Sequence, residues 1–376
     1  MEIFLISIGI LLIIYIEIRL YKPRYVQSLQ YHLKMERTRL IEGETGCILE
    51  TITNKGLLLF PVINTTMEIA GKLEVEEENT TTLGSNRVII ARKSSLRWFQ
   101  RATVPYTFLA KARGVHQIYC TGFYYTDALR FTYYEHHLRD HTEIIVYPKI
   151  LPIDQILPIP LNLFGDHFVR RWIMEDYFFP SGVRDYVHGD NLRFVDWKKT
   201  ARYNEMKTRT YDYTNSNEVI IVLNLQTTGS VGSHPELIED IIRVGASLLY
   251  AAIKEGFAIG LFANGGCIGY MEQTLVIPPS QNQPPEQLNE CLARLRNFES
   301  QPFQYFLDAQ QQWLGRDANI VMITGYMNED IYGALLHVNA TAQSLKIITL
   351  KEVAEEFQEG LSFYPAFVKG AQKDAE

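Results

Sequence analysis

A chain of 376 residues is too long for one small domain and fits two compact domains with an accessory segment. Its 47% hydrophobic and 21% charged residues are those of a globular protein with a sizeable core, which excludes a disordered chain and a multi-spanning membrane protein. A formal net charge of -7 sets the overall field against polyanions, so nucleic acid is not expected as the main partner.

The first segment is apolar from Ile3 to Ile16 except for Ser7 and Gly9, and continues through Glu17, Ile18, Arg19, Leu20 and Tyr21. As a helix, Ile3 to Tyr21 spans roughly 28 Å, close to the hydrocarbon thickness of a bilayer. Glu17 and Arg19 fall near the last turn, where long side chains reach the interface, and Tyr15 and Tyr21 suit the headgroup belt. The competing readings are a signal peptide and a buried core helix. A signal peptide starts with Lys or Arg and ends on small residues, whereas this segment starts with Glu2 and ends bulky and charged. A single transmembrane anchor over residues 1–24 is therefore expected. Arg19, Lys22 and Arg24 follow the span and only Glu2 precedes it, which places the soluble domains in the cytoplasm.

Residues 36–148 offer short runs rich in β-branched and aromatic residues, among them Cys47 to Ile52, Leu57 to Ile63, Met67 to Val75, Thr103 to Ala110, Gln117 to Tyr125 and Thr142 to Tyr147. Turn signals such as Asn54-Lys55-Gly56 separate them, and the pattern predicts an all-β sandwich of immunoglobulin-like type. His136, His137, Asp140 and His141 fall between two runs. On a helix His137 and His141 would form an i, i+4 metal pair, but the Glu of a metalloprotease motif is missing and a solvated loop is expected. The four cysteines, Cys47, Cys120, Cys267 and Cys291, are scattered without a CxxC pair and read as reduced, packed thiols.

Pro148, Pro152, Pro158 and Pro160 exclude a helix and predict an extended joint, so residues 149–217 are read as a Pro-rich linker with a charged segment. Over residues 218–368 the period changes. Glu218 to Leu225 and Asn319 to Thr324 are apolar runs expected of strands buried on both faces. Ser233, Pro235 and Glu236 make a capping box for a helix with Leu237, Ile241, Val244, Leu248 and Ala252 on one side. Phe257 to Ala263 reads as a strand, Gln287 to Asn297 and Glu329 to Val338 as helices, and Lys346 to Leu350 as a last strand. Alternating strands and helices imply a parallel, doubly wound sheet, so the whole is an α+β multidomain chain. The polar tail, residues 369–376, is expected to be loose.

The densest set of charged and special residues runs from Gly182 to Arg202. Arg184, Asp185, Tyr186, Gly189, Asp190, Arg193, Trp197, Lys198, Ala201 and Arg202 stand at the spacing of a known signature, and here the chain resembles the domain of unknown function 58 family. The family more often has Glu where this chain has Asp185. The resemblance covers most of the chain and implies, in order, an N-terminal anchor, a β-rich region, the signature, and a domain similar to von Willebrand factor A. Relatives usually carry a hairpin of two spans, and only one is found here. The resemblance also implies a partner, a MoxR-type AAA+ ATPase.

In physical terms, Arg184, Arg193 and Arg202 are rigid donor forks with Asp185, Asp190 and Asp196 as complementary carboxylates, which predicts a self-satisfied clamp with Trp197 as a buried anchor. Arg and Trp also dominate interface hot spots, so part of this surface is a candidate dock. His188 is the one candidate base in the segment, without a Ser or Cys nucleophile beside it, and no catalytic residue is assigned.

Domains of the von Willebrand A type often hold a divalent ion through an Asp-x-Ser-x-Ser run, a Thr and a second Asp. The corresponding positions here are Asn224, Gln226, Thr228 and Thr324, followed by Gly325. Both anionic ligands are missing, so no metal and no cofactor are expected. The leading expectation is a membrane-tethered adaptor acting with the ATPase. The alternatives are a metal-dependent adhesion protein facing outward and a hydrolase centred on His188 and Asp190.

Overall fold

The structure is a computed structural model that describes residues 2–22, 28–75, 80–83, 87–157, 175–187, 195–203, 205–213, 218–229, 234–271, 273–280, 283–315 and 318–368. In chain order the first elements are α1 (Glu2–Leu20), β1 (Leu29–Met35), β2 (Arg39–Ile41), β3 (Thr45–Asn54), β4 (Phe60–Ala70), β5 (Leu73–Val75), β6 (Thr80–Leu83), β7 (Arg87–Leu96), β8 (Arg101–Ala110), β9 (Gly114–Thr126) and β10 (Tyr133–Tyr147). Next come α2 (Ile153–Ile156), β11 (Glu175–Asp185), α3 (Trp197–Tyr203), β12 (Lys207–Tyr213), β13 (Glu218–Leu223), α4 (Pro235–Lys254), β14 (Ala258–Ala263) and β15 (Leu275–Ser280). The last are α5 (Pro285–Arg294), α6 (Phe303–Ala309), α7 (Gln311–Leu314), β16 (Asn319–Thr324), α8 (Glu329–Thr341), β17 (Ser344–Thr349) and β18 (Phe363–Pro365). One compact unit takes Met1–Leu151, Gly265–Gln273 and Pro284–Arg296, and the other takes Pro152–Asn264, Thr274–Gln283 and Asn297–Glu376.

In the first unit, α1 is the one helix among the described residues that is long and apolar enough to cross a membrane. Ile3–Leu20 has a mean hydropathy of 2.4, and none of it is buried. Tyr21, expected in the headgroup belt, is instead 3% exposed and packs edge-on against Phe60. The β elements make two sheets, of order β1-β3-β8-β5 and β2-β10-β9-β4-β7-β6. Period-two alternation decides which side chains turn inward: Ile48, Glu50 and Ile52 from β3, and Ile63, Thr65, Met67 and Ile69 from β4. Ile48, Met67 and Ile69 pack with Leu40, Tyr106, Phe108, Ile118, Ile144 and Val146, while Ile52 and Ile63 pack in a second cluster with Phe60, Leu96, Phe123 and Tyr125. The Tyr106 hydroxyl donates to Oε2 of the inward Glu50 at 2.6 Å, while Glu50 Oε1 is buried without a hydrogen-bond partner among the described residues.

The histidine cluster is not in a loop. Residues 136–141 lie within β10, paired with β9 across a register shift between His137 and Asp140, and the His136 ring lies 5.0 Å from that of Phe123. The polar residues had hidden the strand, because the alternation that marks one is interrupted at the bulge.

The helix expected over 287–297 forms as α5, ends at Arg294, and belongs to the first unit, not to the α/β domain. Its buried Leu288, Cys291 and Leu292 show why it needed an apolar partner, but periodicity does not name that partner. Within this unit the buried Arg113 donates to the carbonyls of Leu292 at 2.6 Å and Leu295 at 3.0 Å, capping the helix C-terminus with a cation.

His116 in β9 is buried, with Nε2 2.9 Å from the Ala112 carbonyl. Burial lowers its pKa from the ordinary 6.5, the carbonyl contact opposing this. The folded state therefore binds fewer protons than the unfolded state as pH falls below 6.5, and stability is lost in that direction. Chemical denaturation of H116Q is expected to show a shallower fall in stability below pH 6.5 than the wild type. An unchanged slope would show that other groups set it.

The second unit contains a sheet of order β15-β14-β13-β16-β17-β18. β13 pairs in parallel with β14 and β16, β16 with β17, and β17 with β18. β15 runs antiparallel on the edge. That strand carries Pro278 and Pro279, which an edge tolerates and which conceal it in the sequence. β13 is buried except for Glu218, as a strand covered on both faces must be. α4 buries Leu237, Ile241, Val244, Leu248 and Ala252, the stripe set by its period. A Cβ on Gly245 would lie 2.7 Å from Leu223 Cδ2, so this glycine lets α4 close on the sheet. The capping box is different from expectation: His234 occupies the N-cap without a side-chain bond, Pro235 opens the helix, and Ser233 lies outside the described residues. One helical turn, α2, fits between Pro152 and Leu157 in the segment expected to be wholly extended.

Candidate docking surface

The signature is carried by a two-stranded antiparallel sheet, β11 with β12, in which Val183 faces Arg209, Arg184 faces Thr208 and Asp185 faces Lys207. The chain then returns through α3. The Asp196 carboxylate accepts from Lys199 N at 3.1 Å, the N-cap to N3 bond of a helix start. Asp196 N donates to Lys207 O at 2.8 Å, Lys207 N donates to Thr200 Oγ1 at 3.0 Å, and Tyr186 N donates to Met206 O at 2.9 Å. Backbone bonds thus bring residues 185–186 and 196–207 together.

Asp185 binds the Lys207 ammonium, which Glu205 also contacts at 3.1 Å, and Lys207 lies 5.7 Å over the Tyr203 ring. These carboxylates, Asp185 first, raise the Lys207 pKa above its ordinary value. The Arg184 guanidinium donates to the Asp185 backbone carbonyl at 3.1 Å. The expected pairing of arginine forks with aspartates is therefore replaced, at Asp185, by a lysine that lies beyond the motif. Lys207 was legible only through its place on the returning strand. Arg193, Asp190, Gly189 and His188 lie outside the described residues.

Trp197 corrects the sequence reading most sharply. It is 64% exposed, where a buried anchor was expected. All seven residues of α3 avoid burial, Lys198 and Arg202 among them, and Val187, Tyr203 and Met206 are exposed large hydrophobics nearby in the chain. A helix this short has little stability of its own in water, and one that buries nothing gains none from packing. Its cap matters accordingly. Asp196→Ala is expected to cost α3 about 1 kcal/mol and to speed hydrogen exchange at the Lys199 amide. Unchanged exchange would show that the cap is not what holds the helix.

The residues aligned with metal ligands meet at the C-terminal ends of β13, β14 and β16. Asn224 Nδ2 donates to Thr324 Oγ1 at 2.9 Å, and Asn224 Oδ1 accepts from Gln226 N at 3.0 Å. Gln226 Nε2 donates to Thr228 O at 3.2 Å, and its Oε1 accepts from Phe303 N at 2.9 Å. Thr324 Oγ1 donates to Tyr326 O at 2.7 Å. Asn264, which the sequence reading missed, joins them: its Oδ1 accepts from Leu225 N at 2.8 Å and its Nδ2 donates to Gln301 O at 3.1 Å. It follows β14 as Asn224 follows β13, a polar residue closing a buried apolar strand, and that was the available signal.

Asn224, Asn264, Gln226 and Thr324 are all buried, so these oxygens and amides are spent on one another and on the backbone. A Cβ on Gly325 would lie 2.7 Å from Leu237 Cδ2, which fixes glycine after the strand. Among the described residues no group of three or more His, Cys, Asp or Glu is placed to hold a metal ion. The pocket beside this network, lined by Thr324, Tyr326, Met327, Thr349 and Lys351 among others, has a cavity volume of about 20 Å³. That is below the ~300–1,000 Å³ of small-molecule sites.

The described residues thus hold one helix long and apolar enough to cross a membrane, an open sheet with a neutral polar network at its strand ends, and a charged hairpin with an uncovered helix. Residues 182–361 match the family described as "Protein of unknown function DUF58", and the chain contains this domain. It is similar to "Uncharacterized protein YeaD" of Bacillus subtilis (strain 168), 21% identical over 241 residues, covering 64% of this chain and 57% of the relative. The chain thus spans little more than half the length of that relative. Among solved structures, a cohesin module from a Clostridium perfringens ATCC13124 family 33 glycoside hydrolase covers 32% of this chain and 99% of its own. Identity is 9% and the TM-score is 0.25. The CARDB domain of the PF1109 protein from Pyrococcus furiosus covers 32% and 94%, at 11% identity and a TM-score of 0.22.

Proposed function

We propose that this protein is a membrane-tethered adaptor that acts with a MoxR-type AAA+ ATPase in the assembly or maturation of other proteins. Its soluble units lie in the cytoplasm, and the hairpin and α3 form the dock. The family is generally associated with MoxR-type AAA+ ATPases. In this reading the first unit is an immunoglobulin-like sandwich, the second a von Willebrand A-like domain, and neither is catalytic.

The observation that carries the proposal is α3, a capped helix that buries nothing and leaves Trp197 in solvent. Trp and Arg are the residues that anchor interfaces, and this segment has Trp197, Arg184 and Arg202 together. The neutral network of Asn224, Gln226 and Thr324 favours a metal-free adaptor over ion-dependent adhesion, because a hard divalent ion needs anionic oxygen and these neutral groups are already bonded. The test is a pull-down of the full chain from native membranes in the presence of ATP. Recovery of an AAA+ ATPase is expected, and its absence together with unchanged interactions for Arg184→Glu would refute the reading.

A further inference from the structure

The first unit carries a second apolar surface unrelated to its core. Leu57, Trp98, Phe99, Leu129, Phe131 and Tyr133 are all half exposed or more. They come from three connections and their edge, β3 to β4 and β7 to β8, which pass between the two sheets, and the β9–β10 hairpin, with Tyr133 the first residue of β10. Two of these are joined, since Phe99 N donates to Gly56 O at 3.2 Å and Asn54 Nδ2 donates to the carbonyls of Leu58 and Arg97. Phe99 has φ 52 and Arg130 φ 62, a backbone region costly for side chains of this size. The fold holds strained turns at the tips of exposed connections.

What these connections face is set by α1. The Tyr21 hydroxyl donates to Leu59 O, and the Tyr125 hydroxyl donates to Tyr21 O at 2.9 Å. The Tyr134 hydroxyl donates to Ile18 O at 2.7 Å, and Leu129 N donates to the Glu17 carboxylate at 2.9 Å. The last turn of the membrane span is thus bonded to two of the three connections. At 1.5 Å rise per residue, Glu17 lies about 4.5 Å before the end of the helix, so the connection holding Leu129 and Phe131 reaches the depth of that last turn. The exposed charges on the connections are cationic, Lys55, Arg97 and Arg130, while Asp127 is buried.

We infer that this end of the unit is a lipid-binding face: Leu57, Trp98, Phe99, Leu129 and Phe131 insert into the interfacial layer of the leaflet from which α1 emerges, with Lys55, Arg97 and Arg130 against anionic headgroups. Aromatic rings at headgroup level and cations beside them are what such a layer accepts. Apolar surface tied to the end of a membrane span is continuous with the membrane contact of that span, which selects lipid over a soluble protein as its occupant. The inference depends on α1 and not on the ATPase partnership.

The test uses the full chain with Trp172, Trp197 and Trp313 replaced by Phe, so that Trp98 alone reports. In vesicles of phosphatidylglycerol and phosphatidylcholine brominated near the top of its acyl chains, Trp98 is expected to lose most of its emission and to resist aqueous iodide. A second measurement needs no substitution: in the same vesicles the wild-type chain is expected to be cut by trypsin at Arg97 and Arg130 at least several-fold more slowly than in detergent. Full access of iodide to Trp98 without bromolipid quenching, or equal cleavage in vesicles and detergent, would overturn the inference. Protection that is the same without phosphatidylglycerol would overturn its anionic component.

Discussion

Arg113→Ala is expected to destabilise the first unit by about 3 kcal/mol, because the substitution strips a charged donor from two buried carbonyls and leaves that of Leu292 with only the long bond from Leu295 N at 3.4 Å. The wild-type guanidinium is 3% exposed and stands at the C-terminal end of α5, where the helix dipole is negative and the last carbonyls lack partners of their own. Lysine offers a point charge where arginine offers a fork, so Arg113→Lys recovers only part of the loss. The consequence is local as well as global. Cys291 lies on α5, and Cys267 donates its thiol to the Cys291 carbonyl at 3.2 Å; both are buried. Loosening the end of α5 should expose them, and site-resolved thiol labelling by mass spectrometry should find both modified faster in Arg113→Ala. Equal labelling rates with unchanged denaturation midpoints would show that the cap is dispensable.

Asn224→Asp is the corresponding prediction for the second unit. The side chain is fully buried, and its amide donates to Thr324 Oγ1 while its carbonyl accepts from Gln226 N. A carboxylate keeps the second bond, loses the first and must be desolvated, which we expect to cost about 3 kcal/mol at neutral pH. Burial raises the pKa of the introduced acid above its unfolded value. The folded mutant then binds more protons than the unfolded chain between the two values, so its stability falls as pH rises through that window. The deficit relative to the wild type should therefore shrink in acid. Mg²⁺ should leave it unchanged, because Gln226 and Thr324 remain committed to Phe303 N and Tyr326 O. Recovery of wild-type stability on adding Mg²⁺ would instead reveal a dormant ion site.

The features that were legible in the sequence are those in which one physical requirement acts alone. The span of α1 follows from a run that is apolar from Ile3 to Ile16 but for Ser7 and Gly9, the buried strands β13 and β16 from apolar runs of strand length, and the inward face of α4 from its helical period. Where two requirements compete, the pattern is obscured. β10 carries histidines and a bulge, β15 contains two prolines because an edge permits them, and α5 shows an apolar face without revealing that it serves the first unit. In the signature, charge complementarity correctly marked Asp185 as paired but chose arginine, whereas strand register brings Lys207. Trp197 was read from hydrophobicity as a core residue. Hydrophobicity alone does not separate a core anchor from an interface anchor, and the exposure of α3 is what tells them apart.

That distinction is also where the account is tested most directly. Trp197→Ala in the full chain should be measured twice: for thermal stability, and for recovery of an AAA+ ATPase from native membranes under ATP. A docking face predicts an unchanged melting temperature, since little packing is lost at a residue 64% exposed, together with loss of the ATPase. A lowered melting temperature with full recovery of the ATPase would contradict the account and return the signature to a clamp within the fold.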